Sequence, residues 1–298
     1  MCNMERRLTH RRDSRENPLD TKSVMICADD FGLHPAIDAA IVELAACGRL
    51  SGAGCLVDGP SFAESAPGLL ASGLEGGLHL NFTESLASGG LFMPLGRLAR
   101  ACWARRLDPV AVGRQIAAQL DRYEAVMGRA PDYVDGHQHV HQFPQIREAL
   151  MGELDRRYPA DGHRPWLRST RAGSQAGMAP GTRLKAAVIA VLGARRHGRL
   201  AQRHGYRLNR ALLGVYDFQG GAAGYAGLLH AWLAAAGDGD LIMCHPAVRP
   251  VPGDPLGAQR QAEFDVWRSG ETADWLRRFG VRVSRRAVCR RPAPGPAA

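Results

Sequence analysis

The chain lacks any apolar run approaching the ~20 residues of a membrane-spanning helix, although 45% of its 298 residues are hydrophobic. A spanning helix is therefore not expected, while a sizeable core is, in one large α/β domain or two small ones. The seven cysteines include no Cys-x-x-Cys pair, and such an odd, scattered set argues against a disulfide framework and for a reducing compartment. Cys27, Cys55 and Cys244 stand inside apolar runs, where cysteine acts as a small hydrophobe. The first 22 residues mix Arg with Asp and Glu and have no apolar centre of a secretory signal. They read as a flexible extension, and the protein as cytoplasmic.

Acidic residues are missing where basic ones are densest. Between Arg195 and Arg210 stand six arginines and two histidines without one carboxylate, in a chain of net charge +9. Either this is a solvated face or it receives an anionic partner. Tyr206 is the only aromatic residue there, so no nucleic-acid partner is expected. Peripheral contact with a membrane stays open, and a homodimer is neither required nor opposed.

Strand-like runs alternate with helix-like ones. The strand candidates are 23–31, 52–58, 76–82, 132–135, 166–169, 213–218, 240–244 and 281–284. Most are short, apolar on both faces and bounded by Gly, Pro or Asp, as buried parallel strands are. Between them, Pro35 opens a helix with Ile37, Ile41 and Leu44 on one face and Gly48 as its stop. Another runs from Val110 to Met127, and a third follows Pro144. Leu184, Ala187, Val188, Val191 and Leu192 form a single stripe, expected to pack on the body of the protein. Some eight strands with helices between them predict an irregular (β/α) TIM-like barrel over residues 23–285, with 171–210 as an insertion and 286–298 as a disordered tail.

In such a fold, functional groups gather at the carboxyl ends of the strands. Asp29 and Asp30 end the first apolar run. Two adjacent carboxylates are costly to desolvate there unless a cation or a proton-transfer role compensates, although one could simply cap the next turn. His79 ends the third run, and His137, His139 and His141 follow Asp135 at the end of the fourth. If that segment is extended, the three imidazoles share a face, and a cation that takes them neutral explains the cluster. His245 ends the seventh run just before Pro246, as a core residue or as a proton donor. Phe31-Gly32 after Asp30 imitates a kinase metal motif, but no Gly-rich loop precedes it.

The strings Ala28-Asp29-Asp30-Phe31-Gly32, Gly77-Leu78-His79-Leu80, Asp135-Gly136-His137-Gln138-His139-Val140-His141 and Met243-Cys244-His245-Pro246 resemble, in order and spacing, those of the YdjC-like carbohydrate deacetylases. The resemblance runs from about Ser23 to Ser284 and implies a deacetylase-type barrel that hydrolyses the N-acetyl group of an amino sugar. The substrate would be a chitooligosaccharide or another GlcNAc-containing glycan or glycolipid. It also implies a divalent metal, usually magnesium and sometimes zinc, with Asp30, His79 and His137 in the ligand positions. Asp29 resembles the general base and His245 its acid partner; Arg168 weakly resembles a family Arg near the site, and Arg168 and His139 are the weak candidates for substrate contact. Gly136 and Gln138, the Arg-rich insertion and the N-terminal extension depart from the family pattern. The alternatives are another metal-dependent hydrolase, such as a phosphoesterase or an amidohydrolase, and an anion-binding protein that uses the basic patch.

Overall fold

In the computed structural model, which describes residues 21–86 and 89–284, seven of the eight apolar runs form strands, and the sixth, 213–218, meets its strand only at Leu213. The strands are β1 (Lys22–Phe31), β2 (Gly52–Cys55), β3 (Glu75–Leu80), β4 (Tyr133–Gly136), β5 (Trp166–Leu167), β6 (Leu212–Leu213), β7 (Leu241–Cys244) and β8 (Val281–Val283). Every pairing is parallel, in the order β5-β4-β3-β2-β1-β7-β6. β1 is the longest strand and is shared: Lys22–Val24 pair with β8, and Met25–Ala28 pair with β7. Several strands stop earlier than their apolar runs, because the chain turns away once it leaves the sheet.

The sheet curls into a half-barrel. Met25, Tyr133, Trp166, Leu212, Leu241 and Met243, from strands far apart in the sheet order, meet in one buried cluster, which only a curled sheet allows. The Tyr133 and Trp166 rings stack there at 4.5 Å. Val24, Ile26 and Ala28, on the opposite face of β1, join the larger core formed with the helices. Alternate residues of one strand thus fill both cores, as a strand covered on both sides requires. Across the gap between the edges β5 and β6 run the isolated bridges Leu167–Leu208 and Ala172–Leu212, with Ser169 and Asn209 hydrogen-bonded between them.

Helices begin where the sequence provides a cap. Pro35–Ala46 has Pro at its first turn and His34 Nδ1 accepting from the Ala36 amide at 3.0 Å. Pro109–Met127 is capped by Asp108, which accepts from the Val110 amide at 2.9 Å. The expected N-terminal extension, save for residues 21 and 22, and the expected tail at 286–298 lie outside the described residues.

One expectation fails. Most of the apolar stripe of the 171–210 excursion does not pack on the body of the protein: Leu184 is 67% exposed, Val188 49% and Val191 81%, while Leu192 packs, partly buried, against the core. Helix Pro180–Ile189, a π-type turn at Ala190–Ala194 and helix Arg195–Arg203 instead bury Ala186, Gly193, Ala194, His197 and Ala201. Small side chains let the backbone approach closely, and larger ones cannot follow. At Gly193 a Cβ would lie 2.4 Å from the Gln142 carbonyl oxygen. Gly193→Ala is therefore expected to cost about 1–3 kcal/mol, the usual penalty for overpacking, read as a lower denaturant midpoint with an unchanged slope.

Candidate active site

β1 does not end as a regular strand. Ala28 pairs with Ala53 and Phe31 with Cys55, so β1 carries one residue more than β2 across this interval. This is a β-bulge, and Asp30 at its centre has φ +71°. Successive strand residues ordinarily face opposite sides. The bulge cancels that alternation and turns both Asp29 and Asp30 into the same buried cluster, at the cost of a left-handed non-glycine residue. Gly54 stands opposite, where a Cβ would come within 3.2 Å of His79 Nδ1 and 3.3 Å of Asp29 Oδ1.

Around Asp30 the geometry is tight. Its Oδ1 lies 3.0 Å from His137 Nδ1 and 3.5 Å from His79 Nε2. Its Oδ2 accepts from Arg260 Nη2 at 2.7 Å. Burial alone would raise the Asp30 carboxyl, but Arg260 and His137 outweigh it and hold it well below its ordinary range. The other nitrogen of His79, Nδ1, meets Asp135 Oδ1 at 2.7 Å. With the proton on Nδ1 directed at Asp135, Nε2 keeps its lone pair toward Asp30.

Arg168, from the segment after β5, is wholly buried. It donates to Asp29 through Nη1 at 2.6 Å and Nη2 at 2.7 Å, and Nη2 also lies 2.6 Å from Asp135 Oδ2. Burial would raise Asp29, yet Arg168 and His79 bring it down to about 2, so Asp29 is ionised at neutral pH. Sequence reasoning expected Arg168 beside the substrate; the structure puts its guanidinium on two carboxylates. His245 Nε2 stands 3.9 Å from Asp29 Oδ2. Burial pushes His245 down to about 4, against the pull of Asp30 and Asp29.

The histidine run is not extended. Residues His137–Gln142 form a tight 3-10 turn with Gln138 at φ 52° and His139 at φ 62°. Period-two alternation therefore does not apply, and the three imidazoles do not share a face. His137 reaches Asp30, whereas His141 Nε2 lies 3.0 Å from the Arg168 carbonyl oxygen and its ring meets His197 at 5.0 Å. His139 lies between them, its Nδ1 buried and without a hydrogen-bond partner among the described residues. Burial and then Arg168 push it down to about 3.

Two functional neighbours escaped the sequence reading, both on helix Ala258–Arg268. Arg260 grips Asp30. Glu263 accepts from the His245 amide at 2.6 Å and from the Tyr216 hydroxyl at 2.6 Å, fixing the loop that carries His245; burial raises its carboxyl to about 7. The sequence did not set them apart, since a charged pair one turn apart on an amphipathic helix ordinarily faces solvent.

Which of these residues suit a metal follows from the donor set. Asp30, His79 and His137 each offer one ligand atom, all within 4.8 Å of one another. One carboxylate and two imidazoles are the donors of a hydrolytic divalent metal site. Asp29, His79 and Asp135 also cluster, but the Arg168 guanidinium already holds both of those carboxylates. The electrostatics agree: three buried carboxylates, Asp29, Asp30 and Asp135, face two buried guanidiniums, Arg168 and Arg260. Burial disfavours a charged His137, yet Asp30 and Glu84 raise it to about 9, so the position favours positive charge. The residues present fit a divalent cation.

The clamp can be tested directly. Arg168→Met would leave two buried carboxylates without their counter-charge, and is expected to cost about 3–5 kcal/mol by denaturant titration at pH 7.

A family model described as YdjC-like protein matches residues 23–278. The chain is 30% identical to a human protein (Homo sapiens) named carbohydrate deacetylase, over 64% of this chain and 62% of that one. It is 31% identical to a chitooligosaccharide deacetylase of Yersinia enterocolitica, over 42% of this chain and 53% of that one. Its matches therefore span between about half and three-fifths of these curated relatives. A solved structure from Enterococcus faecalis, described as a candidate cellobiose-phosphate cleavage protein, superposes with a TM-score of 0.65 at 21% identity, covering 89% of this chain and 97% of that one. That likeness shows a shared fold. With the family model spanning strands β1 to β7 and reaching helix Gly270–Arg278, the chain belongs to the YdjC-like protein family.

Proposed function

We propose that this protein is a metal-dependent carbohydrate deacetylase that hydrolyses the N-acetyl group of an amino sugar, in a chitooligosaccharide or another GlcNAc-containing glycan or glycolipid. One observation carries the reading: a cluster of three groups able to ligate a cation, Asp30, His79 and His137, adjoins an ionised carboxylate, Asp29, with an imidazole, His245, 3.9 Å beyond it. The deacetylase names of the curated relatives support it.

Asp30, His79 and His137 would hold the cation, which when bound supplies Lewis acidity to the acetamide carbonyl and to the attacking water. Magnesium is the family's usual ion, while imidazole donors also suit zinc. Asp29, oriented by both Arg168 nitrogens, takes the proton from the attacking water. His245 is neutral at pH 7, and its Nε2 faces Asp29, so the proton has a short route from carboxylate to imidazole. Once protonated, an imidazole held near 4 is a strong acid, suited to protonate the departing amine, which is otherwise too basic to leave. Asp135 keeps the His79 tautomer, and Glu263 keeps the His245 loop in place. His139, with an unpartnered Nδ1, is available to a sugar hydroxyl. Acetate and the free amino sugar result.

Acetate release from N-acetylated mono- and oligosaccharides is the decisive assay. Activity is expected to vanish with chelator and return with magnesium or zinc. His79→Ala and His137→Ala are expected to weaken metal binding, measured by titration into the stripped protein; unchanged affinity in both removes the ligand assignment. Asp29→Asn is expected to retain the metal while kcat falls by ~10²–10⁴, the usual contribution of a general base. Near-normal turnover in that variant would sink the role of Asp29.

A further inference from the structure

The excursion between β5 and β6 carries two surface features that the catalytic reading leaves unused. The first is the apolar stripe Leu184, Val188 and Val191, which lies open on successive turns and is bare of neighbours that would cover it among the described residues. The second is charge: no Asp or Glu occurs between Asp161 and Asp217, while ten arginines and one lysine do. Arg183, Arg195, Arg196, Arg199, Arg203 and Arg207 are exposed and make no ion pair among the described residues, in contrast to nearby Arg164 and Arg210, which pair with Asp155 and Asp240. A cavity of about 780 Å³ between helix Arg195–Arg203 and the strand β6 approach is walled by five arginines, Arg171, Arg195, Arg199, Arg207 and Arg210, against the single carboxylate Asp238.

We propose that this excursion docks the protein on the surface of an anionic lipid bilayer, the apolar stripe entering the interface and the arginines meeting headgroup phosphates. Exposed aliphatic side chains together with unpaired basic ones on one helical segment are the signature of an interfacial helix. Basic residues near an anionic leaflet each add to the attraction. A nucleic acid would be served by the charge but not by Leu184, Val188 and Val191. It would also want accessible aromatic faces, whereas Tyr206 is buried with the Arg164 guanidinium 3.8 Å above its ring.

The placement gives the contact a consequence. Gln142 Nε2, on the turn that carries His137, donates to the Ile189 carbonyl at 3.1 Å. On the other side, Lys185 Nζ donates to the Tyr216 carbonyl at 2.5 Å and lies 4.8 Å from the Phe218 ring centre, which in turn meets His245 edge-on at 5.1 Å. The docking helix therefore borders the mouth of the site, and a docked molecule opens its site beside the headgroups. The inference stands independently of the reaction performed there.

Co-sedimentation of the full chain with vesicles tests it, using phosphatidylcholine alone and phosphatidylcholine with 30–40% phosphatidylglycerol, about the anionic fraction needed for a clear surface potential. Binding to the anionic vesicles at low salt is expected, with little to the neutral ones. Arg195→Gln with Arg199→Gln is expected to lower the partition coefficient about 30-fold, the loss of two surface contacts. Leu184→Glu with Val191→Glu is expected to lower it roughly tenfold or more, while both variants keep the parent's thermal midpoint. No pelleting with anionic vesicles at low salt overturns the proposal. So does binding that the Leu184→Glu, Val191→Glu variant leaves intact, or tighter binding to single-stranded RNA than to vesicles. A concentration-dependent dimer that this variant disperses, without vesicle binding, assigns the stripe to a second copy of the chain and overturns it too.

Discussion

The site depends on one buried guanidinium. Arg168 lies between Asp29 and Asp135 with no solvent exposure, and both carboxylates are buried as deeply. Removing such ions from water costs several kcal/mol each, so the pairing adds little net stability and is better understood as positioning. It fixes the plane of Asp29. Through Asp135 it also fixes His79, whose Nδ1 is committed and whose Nε2 is left for Asp30. Arg260 does the same for one oxygen of Asp30 from the opposite side. Three carboxylates against two guanidiniums leave a surplus of negative charge, which gives a cation a reason to bind where imidazoles and Asp30 converge.

Backbone geometry makes that convergence reachable. A parallel half-barrel brings strand ends from distant parts of the chain to one rim, and the β1 bulge turns consecutive aspartates inward where a regular strand would send one outward. The tight turn at His137–Gln142 works in the other sense, since its two left-handed residues separate the three histidines. His137 goes to Asp30, and His141 goes to the helix beneath the Arg-rich surface. Strained residues thus cluster where side chains must be aimed, as at other functional sites.

The 171–210 excursion shows how much a helix's partner decides. Its buried face is made of alanines, Gly193 and His197, and at Gly193 it approaches the backbone of the histidine turn too closely for any side chain. The bulky stripe is consequently left outward. Arg183, Arg195, Arg196, Arg199, Arg203 and Arg207 make no ion pair among the described residues, because no carboxylate occurs nearby in the chain and the fold brings Asp240 only to Arg210.

Much of this was legible in the residues alone. Short apolar runs bounded by Gly, Pro and Asp are the mark of buried strands, so the α/β class and seven of the strands were found, while the sixth run, 213–218, touches its strand only at Leu213. Asp29, Asp30, His79, the histidines from His137 to His141 and His245 stood out because polar groups at the ends of such runs demand a reason. Arg260 and Glu263 were not, since a charged pair on an amphipathic helix looks solvated until the helix is seen packed with that face inward. Local chemistry, encoded in neighbouring residues, determined strand identity and which groups would stand at the rim. Only the tertiary structure decided which faces were covered, which carboxylate each guanidinium would neutralise and which histidine would turn aside. Those outcomes depend on contacts between residues more than a hundred positions apart, such as Asp29 with Arg168 and Asp30 with Arg260, and no local pattern carries them.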